Sequence, residues 1–133
     1  MIKNSFNNIA NLGLLILLLY SCTKKENDSC ISYIPAPVTK VDGPNSGMVN
    51  QEIPFTVDYF CINGCGKFWD IEEDLNENTA SIKVIAKYEG CVCTQALVPG
   101  QILYNFKASQ PGTYYLKFLQ WDNNYLMDTI LIQ

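Results

Sequence analysis

Apolar residues recur at every second position along several separate stretches of the chain. That period limits the possible folds more than any other feature. Ile53, Phe55, Val57, Tyr59 and Cys61 alternate with Pro54, Thr56 and Asp58. Ile82, Val84, Ala86 and Tyr88 alternate with Ser81, Lys83 and Lys87, and Ile102, Tyr104 and Phe106 with Asn105 and Lys107. Tyr114, Leu116 and Phe118 follow the turn signal Pro111-Gly112, and Ile130 and Ile132 sit near the last residue. Side chains two apart share one face of a pleated strand, so each stretch is expected to be half-buried β-structure. Val38 to Val41 reads as a short first strand, and Lys67 to Glu72 as another with Trp69 and Ile71 on one face.

Turn formers divide these stretches. Asp42-Gly43-Pro44-Asn45-Ser46-Gly47 and Asp122-Asn123-Asn124 are dense in residues that favour turns. Residues 73–78, acidic and Asn-rich, read as a loop. Val92 to Val98 is an uncharged apolar stretch, a strand or a crossover, which Pro99-Gly100 breaks. The pattern predicts an all-β fold: an antiparallel β-sandwich of about seven or eight strands. The segment from Gly100 to Gln133, with its Pro-Gly-Thr-Tyr-Tyr-Leu-Lys-Phe at 111–118, resembles the last three strands of an Ig-like domain. The resemblance implies an Ig-like sandwich over roughly residues 36–133. The Cys…Trp…Cys framework of antibody domains is not reproduced: Trp69 stands where a strand-C tryptophan could sit, but residues 114–121 contain no cysteine.

The N-terminus has a different character. Residues 1–11 carry one charge, Lys3, and the apolar run from Ile9 to Tyr20 is too short for a spanning helix, which needs about 20 residues. A charged start, a short apolar core and a small residue before a cut are the layout of a secretory signal. The run ends in Leu19-Tyr20-Ser21-Cys22, which resembles the lipobox of bacterial lipoproteins, here of Bacteroidota type, with Tyr20 where a small residue is usual. The resemblance implies a signal peptide over 1–21, lipidation of Cys22 (a palmitate-type acyl anchor among the chains), and attachment to the membrane. Two or more acyl chains make a stable anchor, whereas one is marginal. Thr23, in place of the aspartate that marks inner-membrane retention, points to the outer membrane. Lys24-Lys25-Glu26-Asn27-Asp28 loosely resembles lipoprotein surface-export signals and equally suits a solvated tether. The expected organisation is a signal peptide at 1–21, the lipidated cysteine and tether at 22–37, and the sandwich at 38–133.

Charge and residue usage exclude several functions. Without the leader the chain keeps 8 Lys against 13 acidic residues, a net charge of −5, and it has no arginine. Nucleic-acid binding depends on clustered Lys and Arg, so no nucleic-acid partner is expected. The chain has no histidine. That removes Ser-His and Cys-His catalysis and His-ligated zinc hydrolysis. The acidic group Asp70, Glu72, Glu73, Asp74 and Glu77 lacks EF-hand spacing and reads as solvated. A glycosidase pair within it would need a cleft that a domain this small has little room for. The chain is expected not to be an enzyme and to carry no cofactor.

With Cys22 lipidated, five cysteines remain: Cys30, Cys61, Cys65, Cys91 and Cys93. In an oxidising compartment these are expected to pair. If the strands around them are successive antiparallel neighbours, Cys61 and Cys65 approach Cys91 and Cys93 at one end of the sandwich. The expected crosslinks are 61–91 with 65–93, or 61–93 with 65–91. A 91–93 bond is disfavoured because Cβ atoms two apart on a strand lie roughly 6–7 Å from each other, against about 3.5–4.5 Å in a disulfide. Cys30 is left over, as a free thiol, an intermolecular link or the true partner of one of the four. The alternative is a thiolate metal site formed by Cys61, Cys65, Cys91 and Cys93.

Trp121-Asp122-Asn123-Asn124-Tyr125 places two aromatics beside a polar turn. Trp121, Asn123, Asn124 and Tyr125 are therefore candidates for contacting a glycan or a protein, the competing explanation being ordinary cross-strand packing. Asp128-Thr129-Ile130 resembles a short O-glycosylation acceptor motif of Bacteroidota. These features together lead to the expectation of a lipid-anchored, non-catalytic binding or assembly module of the cell envelope. The rivals are a four-Cys metal-binding protein and a structural subunit of an outer-membrane complex.

Overall fold

A computed structural model describes residues 30–133. The expected signal peptide at 1–21, Cys22 and the residues up to 29 lie outside the described part. Nine strands follow in order: β1 (Ile31–Ala36), β2 (Val38–Asp42), β3 (Ser46–Gly47), β4 (Ile53–Cys61), β5 (Gly66–Asn76), β6 (Thr79–Glu89), β7 (Val98–Phe106), β8 (Gly112–Leu119) and β9 (Tyr125–Ile132). They form two sheets. The smaller has the order β2-β4-β7; the larger is built on β6, with β5 along one edge and β1 and β8 on the other, continuing through β9 to β3.

The alternation seen in the sequence is the core. Ile53, Phe55, Val57, Tyr59 and Cys61 of β4 face Ala80, Ile82, Val84, Ala86 and Tyr88 of β6, with Tyr114, Leu116 and Phe118 of β8 and Ile130 and Ile132 of β9 completing one cluster. No polar or charged residue is buried among the described residues. Burying a polar group without a partner is costly, so a core of this composition needs no internal polar network.

Two strand pairs depart from the antiparallel expectation. β6 and β8 pair in parallel from Thr79↔Tyr115 to Ile82↔Phe118, and β3 runs parallel to β9. The first pairing arises because two strands share one edge of β6. β1 occupies its later half, Ile31↔Glu89 to Ala36↔Val84, and β8 its earlier half.

β1 lies in the stretch that the sequence pattern assigned to a tether. Its outward residues, Ile31, Tyr33 and Pro35, are exposed, so it carries no clean apolar alternation. Pro37 then moves the chain from one sheet to the other, where β2 pairs with β4, and its carbonyl accepts the Phe60 N–H at 3.3 Å. The missing N–H of proline costs nothing at a point where the ladder changes sheets.

Two further boundaries differ from expectation. Residues 73–76 belong to β5, paired Glu73↔Ile82 to Asn76↔Thr79, rather than to a loop. β5 is an edge strand exposed on both faces, so its last residues show no period, and its acids are the kind of charge that keeps an edge from adding further strands. Of the two alternatives for Val92 to Val98, the crossover holds as far as Leu97, an irregular loop between β6 in the larger sheet and β7 in the smaller, and Val98 already belongs to β7. Pro99 and Gly100 fall inside β7, opposite Phe60 and Tyr59. β7 is an edge strand paired with β4 alone, so the proline interrupts no second ladder. A side chain at Gly100 would overlap the Tyr59 ring that covers it.

At the start of β8 the Tyr114 hydroxyl donates to the Gln110 carbonyl at 3.0 Å. This is the tyrosine-corner contact of Ig-like sandwiches, made from the 111–118 segment that carried the resemblance. Tyr114→Phe should lower stability by about 1 kcal/mol, the net worth of one such hydrogen bond, with the ring packing on Phe106 unchanged. Denaturant unfolding of the two forms checks this.

Candidate functional site

One end of the sandwich gathers all five cysteines of the described part. β4 finishes there, β5 begins there, and β6 finishes beside the start of β1. Cys30 is bonded to Cys91 and Cys65 to Cys93, with Cα–Cα separations of 5.0 and 5.5 Å. Cys61 is a buried free thiol. The 65–93 bond is one of the expected pairings and Cys30 is the true partner of one of the four, neither free nor intermolecular; the correction is at Cys61, which takes no part in a crosslink and leaves Cys91 to Cys30. Strand register explains it. Cys61 continues the inward phase of Ile53 to Tyr59, so its sulfur points into the core while the other four cysteines sit in the loops and at the first described residue. The four-thiolate metal site is overturned for the same reason: four of the five sulfurs are consumed in two bonds. No group of three or more His, Cys, Asp or Glu side chains able to hold a metal occurs among the described residues.

Hydrogen bonds knit the loops between the crosslinks. Gly64 N–H donates to the Thr94 carbonyl at 2.9 Å, Gly90 N–H to the Cys30 carbonyl at 2.9 Å, and Ile62 N–H to the Tyr88 hydroxyl at 2.9 Å. Gly90 has φ +144, and a Cβ there would meet the Cys65 sulfur at 2.9 Å. Only glycine combines that conformation with that closeness.

Burial pushes the Cys61 thiol above its ordinary pKa, partly offset by a hydrogen bond from Tyr88. Burial also raises Tyr59 and Tyr88 nearby. A raised folded-state pKa means the unfolded chain loses its proton first, so this contribution to stability is complete below the unfolded pKa and declines above it. Stability should therefore fall as pH rises past the ordinary thiol value of 9.0. Cys61→Ala should delay that fall until the tyrosines begin to titrate, as urea unfolding across the alkaline range would show. Native Cys61 should also resist iodoacetamide and react once the chain is unfolded.

The hairpin candidates do not form one patch. Asp122 and Asn123 both have positive φ, 53 and 61, and Asn124 N–H donates to the Trp121 carbonyl at 2.9 Å. This is the two-residue turn whose twist suits a hairpin, which accounts for the Asp-Asn sequence. Trp121 leans toward the smaller sheet and packs on Phe60, ring centroids 5.6 Å apart. Tyr125 lies on the outer face of the larger sheet, with the Lys117 ammonium 4.6 Å from its ring centroid. Asn123 and Asn124 are exposed at the tip.

A second aromatic group was missed in the sequence. On the outer face of the larger sheet, Tyr33 of β1 and Trp69 of β5 meet edge to face with centroids 5.0 Å apart, and Lys87 of β6 lies 5.7 Å from the Trp69 centroid. Tyr33 is 49% and Trp69 53% exposed. The register shift between Phe68 and Asp70 turns Trp69 outward, so it is not the buried strand-C tryptophan of an Ig domain. Glu89 binds Lys87 at 2.9 Å and Lys67 at 3.4 Å, and these contacts hold its carboxyl below its ordinary value. The result is a braced aromatic pair rimmed by charge, able to stack on an apolar or sugar face and donate hydrogen bonds beside it.

A family model described as the ORF11 beta-sandwich domain matches residues 55–131, more than half of the chain. The chain belongs to that family. The matched segment runs from Phe55 in β4 to Leu131 in β9 and holds four of the five described cysteines, with Cys30, β1, β2 and β3 outside it. In this member of the ORF11 β-sandwich family, the Cys30–Cys91 bond thus ties the preceding strands to the matched segment. No curated protein and no solved structure matches the chain.

Proposed function

We propose that this ORF11 β-sandwich is a lipid-anchored, non-catalytic binding or assembly module of the bacterial cell envelope. The lipobox-like Leu19-Tyr20-Ser21-Cys22 supports the anchor and the outer-membrane placement. Binding is supported chiefly by the Tyr33–Trp69–Lys87 group, two half-exposed aromatics held on a disulfide-braced sheet. Rigid, partly exposed aromatics are the residues that most often dominate a contact surface. The ligand class is a glycan or a protein face. The absence of histidine and of arginine supports the non-catalytic reading and the exclusion of nucleic acid.

Two measurements test this. Cys22→Ala in the full chain should move it from the membrane fraction to the soluble envelope fraction. An array of envelope glycans, with crosslinking to envelope proteins in parallel, should retain the full chain. The Tyr33→Ala/Trp69→Ala form should lose that retention by about ten-fold or more, the scale of a modest binding hot spot. Equal retention of both forms would remove the aromatic group from the binding surface.

An assembly role finds less support: Cys30 is consumed within the chain and gives no intermolecular link, and the free edge of β5 carries acids that oppose the addition of a further strand.

A further inference from the structure

The two ends of the sandwich differ in chemistry. At the cysteine end, three chain segments meet: residues 30–36, 61–66 and 90–100. None of them contains a charged residue. At the opposite end the turns expose Asp42, Glu52, Glu77 and Lys107. The uncharged end also exposes large apolar side chains: Ile31 is 41% accessible, Ile62 39%, Leu97 63% and Val92 94%. Val92 stands between two crosslinked cysteines, and its carbonyl lies 3.8 Å from the Cys65 sulfur, so the loop that presents it is pinned on both sides. Ile31 and Ile62 border one open groove together with Cys30, Gly90 and Cys93. The β8–β9 tip, with its charged Asp122, flanks this end on the side of the smaller sheet, where Trp121 packs on Phe60 beside Cys61.

An end that is apolar, uncharged and held rigid is unfavourable in water and favourable at a lipid surface. The chain's own geometry brings it to one. Cys22 and Cys30 are eight residues apart in sequence. A fully extended chain of that length spans at most about 29 Å, comparable to the thickness of the hydrocarbon core of a bilayer. A lipid on Cys22 therefore keeps the Cys30 end, and not the charged end, within reach of the membrane.

We propose that the cysteine end seats on the bilayer, with Val92 and Leu97 entering the interface beside Ile31 and Ile62. The sandwich then stands with its charged turns outward, and the Tyr33–Trp69–Lys87 group is presented on its flank. Lys67, Lys87 and the Glu89 carboxylate they share rim this end with one net positive charge, which suits the negative surface of an anionic leaflet. The proposal rests on the anchoring reading above.

The test uses the full-length chain, produced and processed in a bacterial host and reconstituted into vesicles of phosphatidylethanolamine and phosphatidylglycerol with brominated acyl chains. Val92→Trp and Lys107→Trp place reporters at the two ends, each at an exposed position, with the parent emission subtracted. Bromine quenching should reduce Val92→Trp emission by roughly two-fold, because interfacial apolar side chains sit about 5–10 Å into the headgroup boundary, and should leave Lys107→Trp unchanged. If the protein floats with the vesicles and the two reporters behave alike, docking is overturned and anchoring stands. If the protein does not float and its mass lacks acyl chains, the anchoring reading fails and the docking falls with it.

Discussion

Removing the Cys30–Cys91 bond, as Cys30→Ala with Cys91→Ala, should destabilise the sandwich by about 4 kcal/mol. The crosslinked residues are 61 apart, and the chain-entropy account assigns a loop of that length roughly that value. The Cys65–Cys93 bond closes a shorter span of 28 residues, for which the same account gives about 3.5 kcal/mol. Small domains hold about 5–15 kcal/mol in total, so either loss is large and both together threaten folding. The two spans interleave, since Cys65 lies within the first and Cys93 beyond it. Their effects should therefore not add, because the first bond already restricts part of the chain that the second would close. Urea unfolding of each double-alanine form and of the fully reduced chain gives the comparison. An unchanged midpoint for the Cys30/Cys91 form would show that β1 contributes little to the folded state.

Phe118→Ala should cost about 3–5 kcal/mol, the range for truncating a fully buried aromatic. Phe118 is wholly inaccessible and sits at the last parallel pair of β8 with β6, opposite Ile82. Its ring meets Tyr104 of β7 edge to face at 5.7 Å, so it joins the two sheets directly. Tyr104 in turn donates its hydroxyl to Glu73 of β5 at 2.8 Å, and burial with that carboxylate holds its proton far above the ordinary tyrosine value. The substitution thus opens a cavity beside a hydrogen bond that closes one flank of the sandwich. Phe118→Leu, which retains more of the buried volume, should lose less. Thermal unfolding of both forms separates the packing effect from loss of fold. Equal, small losses would mean that the rings do not carry the contact between sheets.

The parts of the fold that were legible in the sequence are those with one wet face and one dry one. β4, β6, the later part of β7 and β8 each alternate because burial alternates, and the tyrosine corner of β8 lay within the segment resembling an Ig domain. β1 was missed and β5 was read too short because they are largely exposed: Tyr33 and Pro35 hid a strand, and the acids of β5 hid its last residues, while Lys67 to Glu72 were read as strand. Parallel pairing of β6 with β8 has no periodic signature at all, since either direction preserves alternation.

Among the candidate site residues, the gathering of the cysteines at one end followed from strand direction and 65–93 was one of the two pairings it allowed, but the partner of Cys91 was assigned to Cys61 or Cys65 and is Cys30. The decisive signal was present in the register: Cys61 shares the inward phase of Phe55, Val57 and Tyr59, which removes it from the loops and frees Cys91 for Cys30. Trp69 was set on one face with Ile71 because a bulge cannot be seen in a run of strand residues, and the Tyr33–Trp69–Lys87 group depends on that bulge and on β1. Trp121 and Tyr125 were correctly noted as aromatics at a turn, but only the strand pairing shows that they diverge to opposite sides.

If the cysteines are scaffold and the surface is the seat of function, disulfide mapping of the native chain shows it most directly. Non-reducing digestion should yield peptides joining Cys30 to Cys91 and Cys65 to Cys93, with Cys61 alkylated only after unfolding. The intact mass should lie about 4 Da below that of the reduced chain, one hydrogen lost for each bonded cysteine. A metal-bearing native species with no mass deficit, or a crosslink that includes Cys61, would contradict it.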